Sequence, residues 1–252
     1  MKIVKFVKLT NQYKLIFDNK DELKLYDDTI IKFNLLSHNE LDDNSYKEVV
    51  SYNDRISAYY KAIKYITLKL RTRFEIRKYL SKDYTKEVIN NVIKRLEDDG
   101  YINDELYLKS YINDTLNLTN FGPNRIKREL LKLEFSEDVI SARLSLISDD
   151  KWVSKISNYI DKKVRLNHTN SNNILKKKLQ NDLINLGYYK EMIDEELSKL
   201  ALESDKDLLI KEYNKIKKSL EKKYSGYDLE LKLKQKLMTK GFKYDDINEI
   251  VK

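Results

Sequence analysis

The chain has 252 residues, of which 36 % are charged and 41 % apolar, and it carries a net charge of +8 with five glycines, one proline and no cysteine. The missing cysteines exclude disulfides, thiolate zinc sites and cysteine nucleophiles, and the scarcity of turn residues argues against a β-sandwich or barrel. Because no apolar stretch is long enough to cross a membrane and the N-terminus lacks the apolar core of a signal peptide, we expect a cytoplasmic protein with no membrane partner.

Residues 1–53 are expected to form a small β-rich module. Three short runs rich in strand-forming residues, at 2–9, 13–17 and 23–26, are separated by turn-forming residues. This pattern predicts a meander of three antiparallel strands. Two short helices are expected to follow, at about 28–33 and 42–51, and they would cover one face of the sheet.

From residue 54 onward a sequence pattern recurs four times. Each copy contains a leucine, an aromatic residue, an acid three positions later and an isoleucine two positions after the acid. The aromatic residues are 51, 53 and 54 positions apart, and a period near fifty indicates one supersecondary unit used repeatedly. These aromatic residues, each expected at the corner between two helices, are Tyr84, Phe135, Tyr188 and Phe242.

Each repeat has the length and the apolar spacing of three helices. The boundaries that we expect for the four repeats are 54–100, 101–150, 151–203 and 204–252. The predicted fold is therefore mainly α-helical, with tandem three-helix repeats that form a curved, elongated solenoid behind the β-rich module.

Helix ends can be located from capping residues. In the first repeat we expect helices at about 54–69, 72–81 and 85–98. Thr72 followed by Glu75 is the pattern of a capping box, and Thr85 is the expected N-cap of the third helix. Two further caps are expected in later repeats, at Ser136 and at Ser204 with Asp207.

The net charge differs between these segments. It is −1 for residues 1–53, +5 for 54–100, −3 for 101–150, +3 for 151–203 and +4 for 204–252. A protein that only coats DNA would be basic along its whole length, so we expect part of the partner surface to be protein.

No catalytic constellation is visible in the sequence. The two histidines, His38 and His168, lie in different segments and have no metal-ligand spacing. There is no glycine-rich phosphate loop and no nucleophile elbow. We therefore expect a protein that is not an enzyme and has no cofactor and no metal site.

Two segments concentrate cations at the start of a helix. Residues 69–77 hold three of the nine arginines, and residues 121–130 hold two more behind Pro123, the only proline. The planar fork of arginine suits carboxylate or phosphate recognition. The alternative for the first segment is that one arginine pairs with Glu75 or Asp54 while the others are solvated.

Three stretches together resemble the RecX family of bacterial regulatory proteins. They are KLRTRFE with RKYL at 69–80, GYIND at 100–104 with tyrosines at 107 and 111, and GPNRIKREL at 122–130. The β-rich leader before helical repeats is similar to the longer, Gram-positive members. The chain departs from the family pattern at Lys69, where Arg is usual, at Leu108, where a small residue is common, and at Glu134, where Gly is usual.

This resemblance implies a modulator of the RecA recombinase. RecX-like proteins bind in the helical groove of the RecA filament on single-stranded DNA and suppress its ATP hydrolysis, strand exchange and coprotease activity, which affects DNA repair, recombination and the SOS response. We expect a monomer that binds this filament and that can also contact DNA directly. The expected contact residues are Lys69, Arg71, Arg73, Arg77, Arg125, Lys127 and Arg128.

Two other functions stay open on the sequence. A DNA-binding protein with tandem helix-turn-helix-like units would bind DNA tightly and salt-sensitively without a protein partner. A helical-repeat scaffold for protein interactions would not depend on the arginines of residues 69–77.

Overall fold

The structure, a computed structural model, describes residues 1–202 and 204–251 and divides into two units, Met1–Ser110 and Tyr111–Lys252. Within the described residues there are 13 helices and one three-stranded antiparallel sheet at the N-terminus. The predicted mainly helical fold behind a small β-module is confirmed. No helix in this part of the chain has the length and apolar character needed to cross a membrane.

The N-terminal sheet is the predicted meander. Strands β1 (Ile3–Lys8), β2 (Gln12–Phe17) and β3 (Glu22–Tyr26) pair in sequence order. Alternation along β2 and β3 buries Leu15, Phe17 and Leu25 in one core with side chains of the following helices. Helix α1 (Asp27–Lys32) starts directly after β3, so one face of the sheet is covered as the sequence predicts.

Helix α2 (Asp43–Ile66) is a single helix of 24 residues, and it replaces the two helices predicted at 42–51 and 54–69. Its buried Val49 belongs to the core of the sheet, whereas Ala58 and Ala62 belong to the core of the first three-helix unit. Between them the Asn53 side chain accepts from the backbone N–H of Tyr26 at 2.9 Å and donates to the carbonyl of Lys24. The prediction of two helices was wrong because nothing in the sequence breaks the helix at the point where it changes cores.

The first three-helix unit is completed by α3 (Arg73–Leu80) and α4 (Lys86–Asp98), and α5 (Asp104–Leu118) follows. The capping box is present, since the Glu75 amide donates to the Thr72 hydroxyl and the Thr72 amide donates to the Glu75 carboxylate. The Thr85 hydroxyl caps α4 as predicted. The buried apolar residues of α3 pack with those of α4 and with the two alanines of α2.

The second unit consists of helices that repeat the three-helix arrangement of the first unit. The predicted Ser136 cap is present at the start of the helix Glu137–Leu144. After the C-terminal part of α5, the helices are α6 (Pro123–Leu131), α7 (Glu137–Leu144), α8 (Asp149–Arg165), α9 (Asn172–Leu186), α10 (Lys190–Lys199), α11 (Lys206–Leu220), α12 (Gly226–Thr239) and α13 (Tyr244–Ile250).

Three corners place a left-handed residue directly before the repeated aromatic residue. The φ angle is +63° at Glu134, +89° at Gly187 and +81° at Gly241. Glycine adopts this conformation without strain, whereas for a residue with a Cβ it costs about 1 kcal/mol or more. The departure of Glu134 from the glycine of the RecX pattern is therefore destabilising.

In the second unit, the start of α6 lies against the end of α9. The Gly122 amide donates to the Leu186 carbonyl at 2.7 Å, and the Asn124 amide donates to the Gly187 carbonyl at 2.9 Å. A Cβ on Gly122 would lie 2.6 Å from the Gly187 carbonyl carbon and from the Tyr188 nitrogen. This approach leaves room only for glycine, and it joins two successive repeats through their backbones.

A second junction has the same layout, because the start of α9 lies against the end of α12. The Ser171 amide donates to the Lys240 carbonyl at 3.0 Å. A Cβ on Gly241 would lie 2.6 Å from the Ser171 hydroxyl oxygen. The second helices of the last three repeats are therefore linked in series.

Aspartates at the start of one repeat also bind the second helix of the preceding repeat. In the first unit, the Arg73 amide donates to the Asp104 carboxylate at 3.1 Å. In the second unit, the Asn172 amide donates to the Asp205 carboxylate at 2.9 Å. Both amides belong to the first turn of a helix, where negative charge is stabilising.

The cap predicted at Ser204 with Asp207 was wrong. Asp205 holds the N-cap position of α11 and forms no side-chain cap bond there. The Ser204 hydroxyl accepts from the Lys206 amide at 3.3 Å. The Asp205 carboxylate instead accepts from the Asn172 amide at the start of α9, in the preceding repeat.

Replacing Glu134 by glycine should stabilise the protein. The substitution removes the strain of a Cβ in the left-handed region, and we expect the free energy of unfolding to rise by about 1 kcal/mol in urea denaturation. Gly187→Ala is the matched control and should lower it by more than about 2 kcal/mol, since it adds both strain and a clash with Arg125. A destabilised Glu134→Gly protein would contradict the assignment of strain to this corner.

Candidate interaction surface

The loop between α2 and α3 is built around Arg71. Its guanidinium lies 3.8 Å from the centre of the Tyr65 ring, and its Nη1 lies 2.9 Å from the Glu75 carboxylate. The side chain is only 12 % exposed. Lys69 reaches the same carboxylate at 3.6 Å but is 59 % exposed. Arg71 therefore holds the loop in place, while most of the Lys69 side chain faces solvent.

A row of aromatic rings continues from this loop along α2 and α3. The Tyr65 and Tyr79 rings are stacked at 4.1 Å. Lys61 lies over both Tyr79 and Tyr84, and its ammonium is hydrogen-bonded to Asp83, which raises the pKa of Lys61. The row is an internal brace between helices rather than an open face.

Arg73 and Arg77 are the exposed arginines of α3. The Arg73 guanidinium forms an ion pair with Glu97 and lies 3.4 Å from Asp104. More than half of its surface is nevertheless accessible. Arg77 lies in the last turn of α3 and is exposed. Both can meet a partner, and Arg73 would have to share its charge with two acids.

The second cation-rich segment lies at the start of α6 in the second unit. The Lys155 ammonium holds the preceding loop by donating to the carbonyls of Leu116 and Thr119 at 2.5 and 2.7 Å, and burial lowers its pKa. The Arg125 guanidinium lies 3.9 Å from the centre of the Phe121 ring. This loop is fixed by contacts with α8 before any partner is present.

The other two cations of this segment differ in how they are held. Lys127 donates to the Glu137 carboxylate at 2.5 Å and is largely covered. Arg128 is exposed, and within residues 1–202 and 204–251 it has no ion pair or hydrogen bond from its side chain. Arg128 is thus the cation of α6 that is most available to a partner.

The repeated aromatic residues lie between the ends of the second and third helices. Tyr84 and Phe135 are half-buried, whereas Tyr188 and Phe242 are buried. The Tyr84 hydroxyl shares a 2.8 Å hydrogen bond with Ser57. The Tyr188 hydroxyl is buried without a hydrogen-bond partner in the described structure, and burial raises the pKa of Tyr188 to about 12.

Two further arginines, Arg55 on α2 and Arg95 on α4, were not predicted from the sequence as candidate contact residues. Each guanidinium lies over a tyrosine ring, Arg55 at 5.6 Å from the centre of Tyr52 and Arg95 at 4.0 Å from that of Tyr59. The spacing of three between Tyr52 and Arg55 is a signal that the two share a helix face. No signal in the sequence places Arg95 near them.

A groove of about 830 Å³ lies between the β1–β2 turn and α2 in the first unit. Its walls include Tyr26, Tyr60 and Lys64. Two acids at the start of α1 also line it, and Asp28 accepts from the Tyr60 hydroxyl at 2.9 Å, which raises the pKa of Tyr60. Because acids and lysines face one another, this groove has no net preference for an anion.

Sequence comparison finds RecX signatures at both ends of the helical region. Residues 58–96 match the domain described as RecX, first three-helix domain, and residues 203–251 match the one described as RecX, third three-helix domain. The chain is 32 % identical to "Regulatory protein RecX" of Lactococcus lactis subsp. cremoris strain SK11, with 100 % of this chain and 97 % of the relative covered. It is 31 % identical to the protein of the same name from Streptococcus agalactiae serotype III, with 100 % and 99 % covered.

Solved structures show the same fold. One described as a regulatory protein RecX superposes with a TM-score of 0.65 at 22 % identity, covering 79 % of this chain and 100 % of the other. RecX from Lactobacillus salivarius gives a TM-score of 0.54 at 28 % identity, covering 59 % and 97 %. Tandem three-helix domains behind a small sheet define a helical-repeat regulatory protein. The chain belongs to the RecX family.

Removing the charge of Arg71 should damage the fold rather than only the surface. Arg71→Gln removes the stack on Tyr65 and leaves Glu75 without its closest cation, so we expect the free energy of unfolding to fall by about 1–2 kcal/mol in urea denaturation. Arg128→Gln is the matched control and should change it by less than about 0.5 kcal/mol, because it removes an exposed side chain. Equal effects of the two substitutions would contradict this division of roles.

The hydroxyl of Tyr188 should be dispensable for stability. Tyr188→Phe removes a buried hydroxyl that has no partner, so the free energy of unfolding should stay unchanged or rise by roughly 1 kcal/mol. Tyr84→Phe, which breaks the hydrogen bond with Ser57, should lower it by about 0.5–1.5 kcal/mol. Chemical denaturation of the two variants side by side measures the difference, and a clear decrease in stability in Tyr188→Phe would show that its hydroxyl is paired.

Proposed function

We propose that this protein binds the RecA filament on single-stranded DNA, in its helical groove, and inhibits RecA ATP hydrolysis, strand exchange and coprotease activity. It would thereby modulate DNA repair, recombination and the SOS response. We propose further that it acts as a monomer in the cytoplasm, with no catalysis of its own and no cofactor. Membership of the RecX family supports this proposal, together with the exposed cations on α3 and α6.

The single observation that carries the proposal is the recurrence of exposed cations on the second helix of a repeat. Lys69, Arg73 and Arg77 lie in or just before α3, and Arg128 lies on α6. Each sits on or beside a short helix whose start is fixed by neighbouring residues. A filament offers phosphates and acidic side chains at regular intervals, so several weak contacts would add to a strong attachment.

The remaining predicted contact residues take a supporting role in this proposal. Arg71 and Arg125 are stacked on aromatic rings, and Lys127 is paired with Glu137. Their guanidinium and ammonium groups would set the position of the loops that carry the exposed cations. A direct contact between the filament and one of these three residues would have to form alongside its internal contact with the ring or the carboxylate.

The mixed charge of the repeats supports a partner that contains protein as well as DNA. The second repeat is net acidic, whereas the first, third and fourth are net basic. A surface meant for phosphates alone gains nothing from an acidic segment. Binding of DNA by itself, through tandem helix-turn-helix-like units, is therefore the weaker candidate.

Reversing the charge of two exposed cations should weaken inhibition of RecA. We expect the wild-type protein at substoichiometric concentration to lower the single-stranded-DNA-dependent ATPase rate of RecA. The variant Lys69→Glu with Arg128→Glu should need at least about tenfold more protein for the same inhibition, since it replaces two attractions with two repulsions. The measurement is a coupled ATPase assay over a range of protein concentrations.

The matched control is Lys222→Glu with Lys223→Glu, which makes the same change in charge on exposed residues of the last repeat. It should inhibit like the wild type. If excess wild-type protein leaves the ATPase rate unchanged, the proposed function is wrong. If both double variants inhibit equally poorly, net charge and not the surface on α3 and α6 is responsible.

A further inference from the structure

A small, half-open pocket of about 180 Å³ lies between helices α2 and α4 in the first unit. Its floor is apolar, formed by Ile56 and Val92, which are 3 % and 2 % exposed. Its rim carries Arg55, Arg95 and Asn91. Two guanidinium groups and one amide therefore converge from two helices on a space lined by no carboxylate of the described residues.

The Arg95 guanidinium is held against a ring at 4.0 Å before a ligand arrives, whereas the exposed Arg55 lies 5.6 Å from the centre of its ring. Arg55 lies over the Tyr52 ring and Arg95 lies over the Tyr59 ring, both of which also line the pocket. Stacking at the distance of Arg95 from Tyr59 restricts the guanidinium and leaves its N–H donors at the edge. A ligand that accepts hydrogen bonds from that edge would restrict Arg95 little further on binding.

Most of these N–H donors have no acceptor in the described part of the chain that would compete with a ligand. Arg55 forms no ion pair in the described part of the chain. The Arg95 Nε lies 3.6 Å from Asp99, an exposed pair of low strength, and that carboxylate also accepts from the Tyr59 hydroxyl at 2.7 Å. The Nη groups of Arg95 and both donors of the Asn91 amide are left for a ligand.

We propose that this pocket binds a backbone phosphate of single-stranded nucleic acid. The non-bridging oxygens of a phosphodiester can each accept from one guanidinium, with the Asn91 amide as a third donor. A single carboxylate is satisfied by one arginine fork, so two forks on one small pocket favour phosphate. The net charge of +5 on residues 54–100 acts in the same direction.

This site on α2 and α4 uses none of the cations assigned to the filament surface, and it does not depend on the proposed function. Its test therefore uses no recombinase. The probe is a fluorescein-labelled oligothymidylate, and binding to the full-length protein is followed by fluorescence anisotropy at low salt and then at increasing salt.

Arg55→Gln with Arg95→Gln should weaken binding of the oligothymidylate by at least about tenfold, and the slope of log affinity against log salt should fall by about 0.7 for each phosphate that the protein no longer neutralises. The control Arg143→Gln with Arg165→Gln removes two arginines from the second unit and should change affinity by less than about threefold. Equal weakening in the two double variants, or none in the first, would overturn the proposal.

A second variant covers the case in which the glutamine protein does not fold, which far-UV circular dichroism and a thermal melt would reveal. Arg55→Lys with Arg95→Lys keeps both charges but removes the planar forks, and we expect affinity to fall by about threefold to tenfold. Wild-type affinity in this variant would overturn the role that the proposal gives to the two guanidinium groups. The proposal is also wrong if inorganic phosphate binds the pocket but the oligothymidylate does not.

Discussion

The backbone contact between Gly122 and Gly187 is the constraint on which the second unit depends. It places two hydrogen bonds between the start of α6 and the end of α9 at a distance that admits no Cβ on Gly122. Side chains cannot slide along such a contact as they can along an apolar helix face, because backbone donors and acceptors have fixed positions. The orientation of α6, and with it the direction of Arg128, follows from this junction.

Aspartate carboxylates also join the start of one repeat to the second helix of the preceding repeat. Asp104 and Asp205 each reach the first turn of a neighbouring second helix, at Arg73 and Asn172. Both carboxylates satisfy an amide that an isolated helix would leave without a partner. In the first unit this arrangement has a second effect, since Asp104 also lies near the Arg73 guanidinium and reduces the charge that this arginine offers to a partner.

The parts of the structure that were predictable from the sequence are those with a local cause. The capping box at Thr72 and Glu75, the cap at Thr85 and the three-stranded meander each follow from residues within a few positions of one another. The family departure at Glu134 also had a local meaning, since it coincides with a left-handed residue. Local signals of this kind are strong because they do not depend on the rest of the fold.

The features that the sequence did not reveal depend on contacts between distant segments. The attachment of α2 to the sheet includes Asn53, whose partners lie in β3 and at the start of α1. The different roles of Arg71 and Arg128 rest on whether an aromatic ring lies beside the guanidinium. Composition shows how many cations a segment has, but not which of them the fold already uses.

The exposed cations in and just before α3, and Arg128 in the last turn of α6, are the proposed contacts with the RecA filament, and the proposed function depends on them. Hydrogen exchange of the protein, measured by mass spectrometry with and without RecA assembled on single-stranded DNA, tests these contacts most directly. We predict slower exchange in peptides covering residues 67–75 and 119–128 when the filament is present. Binding to the filament with unchanged exchange in both segments would contradict this prediction.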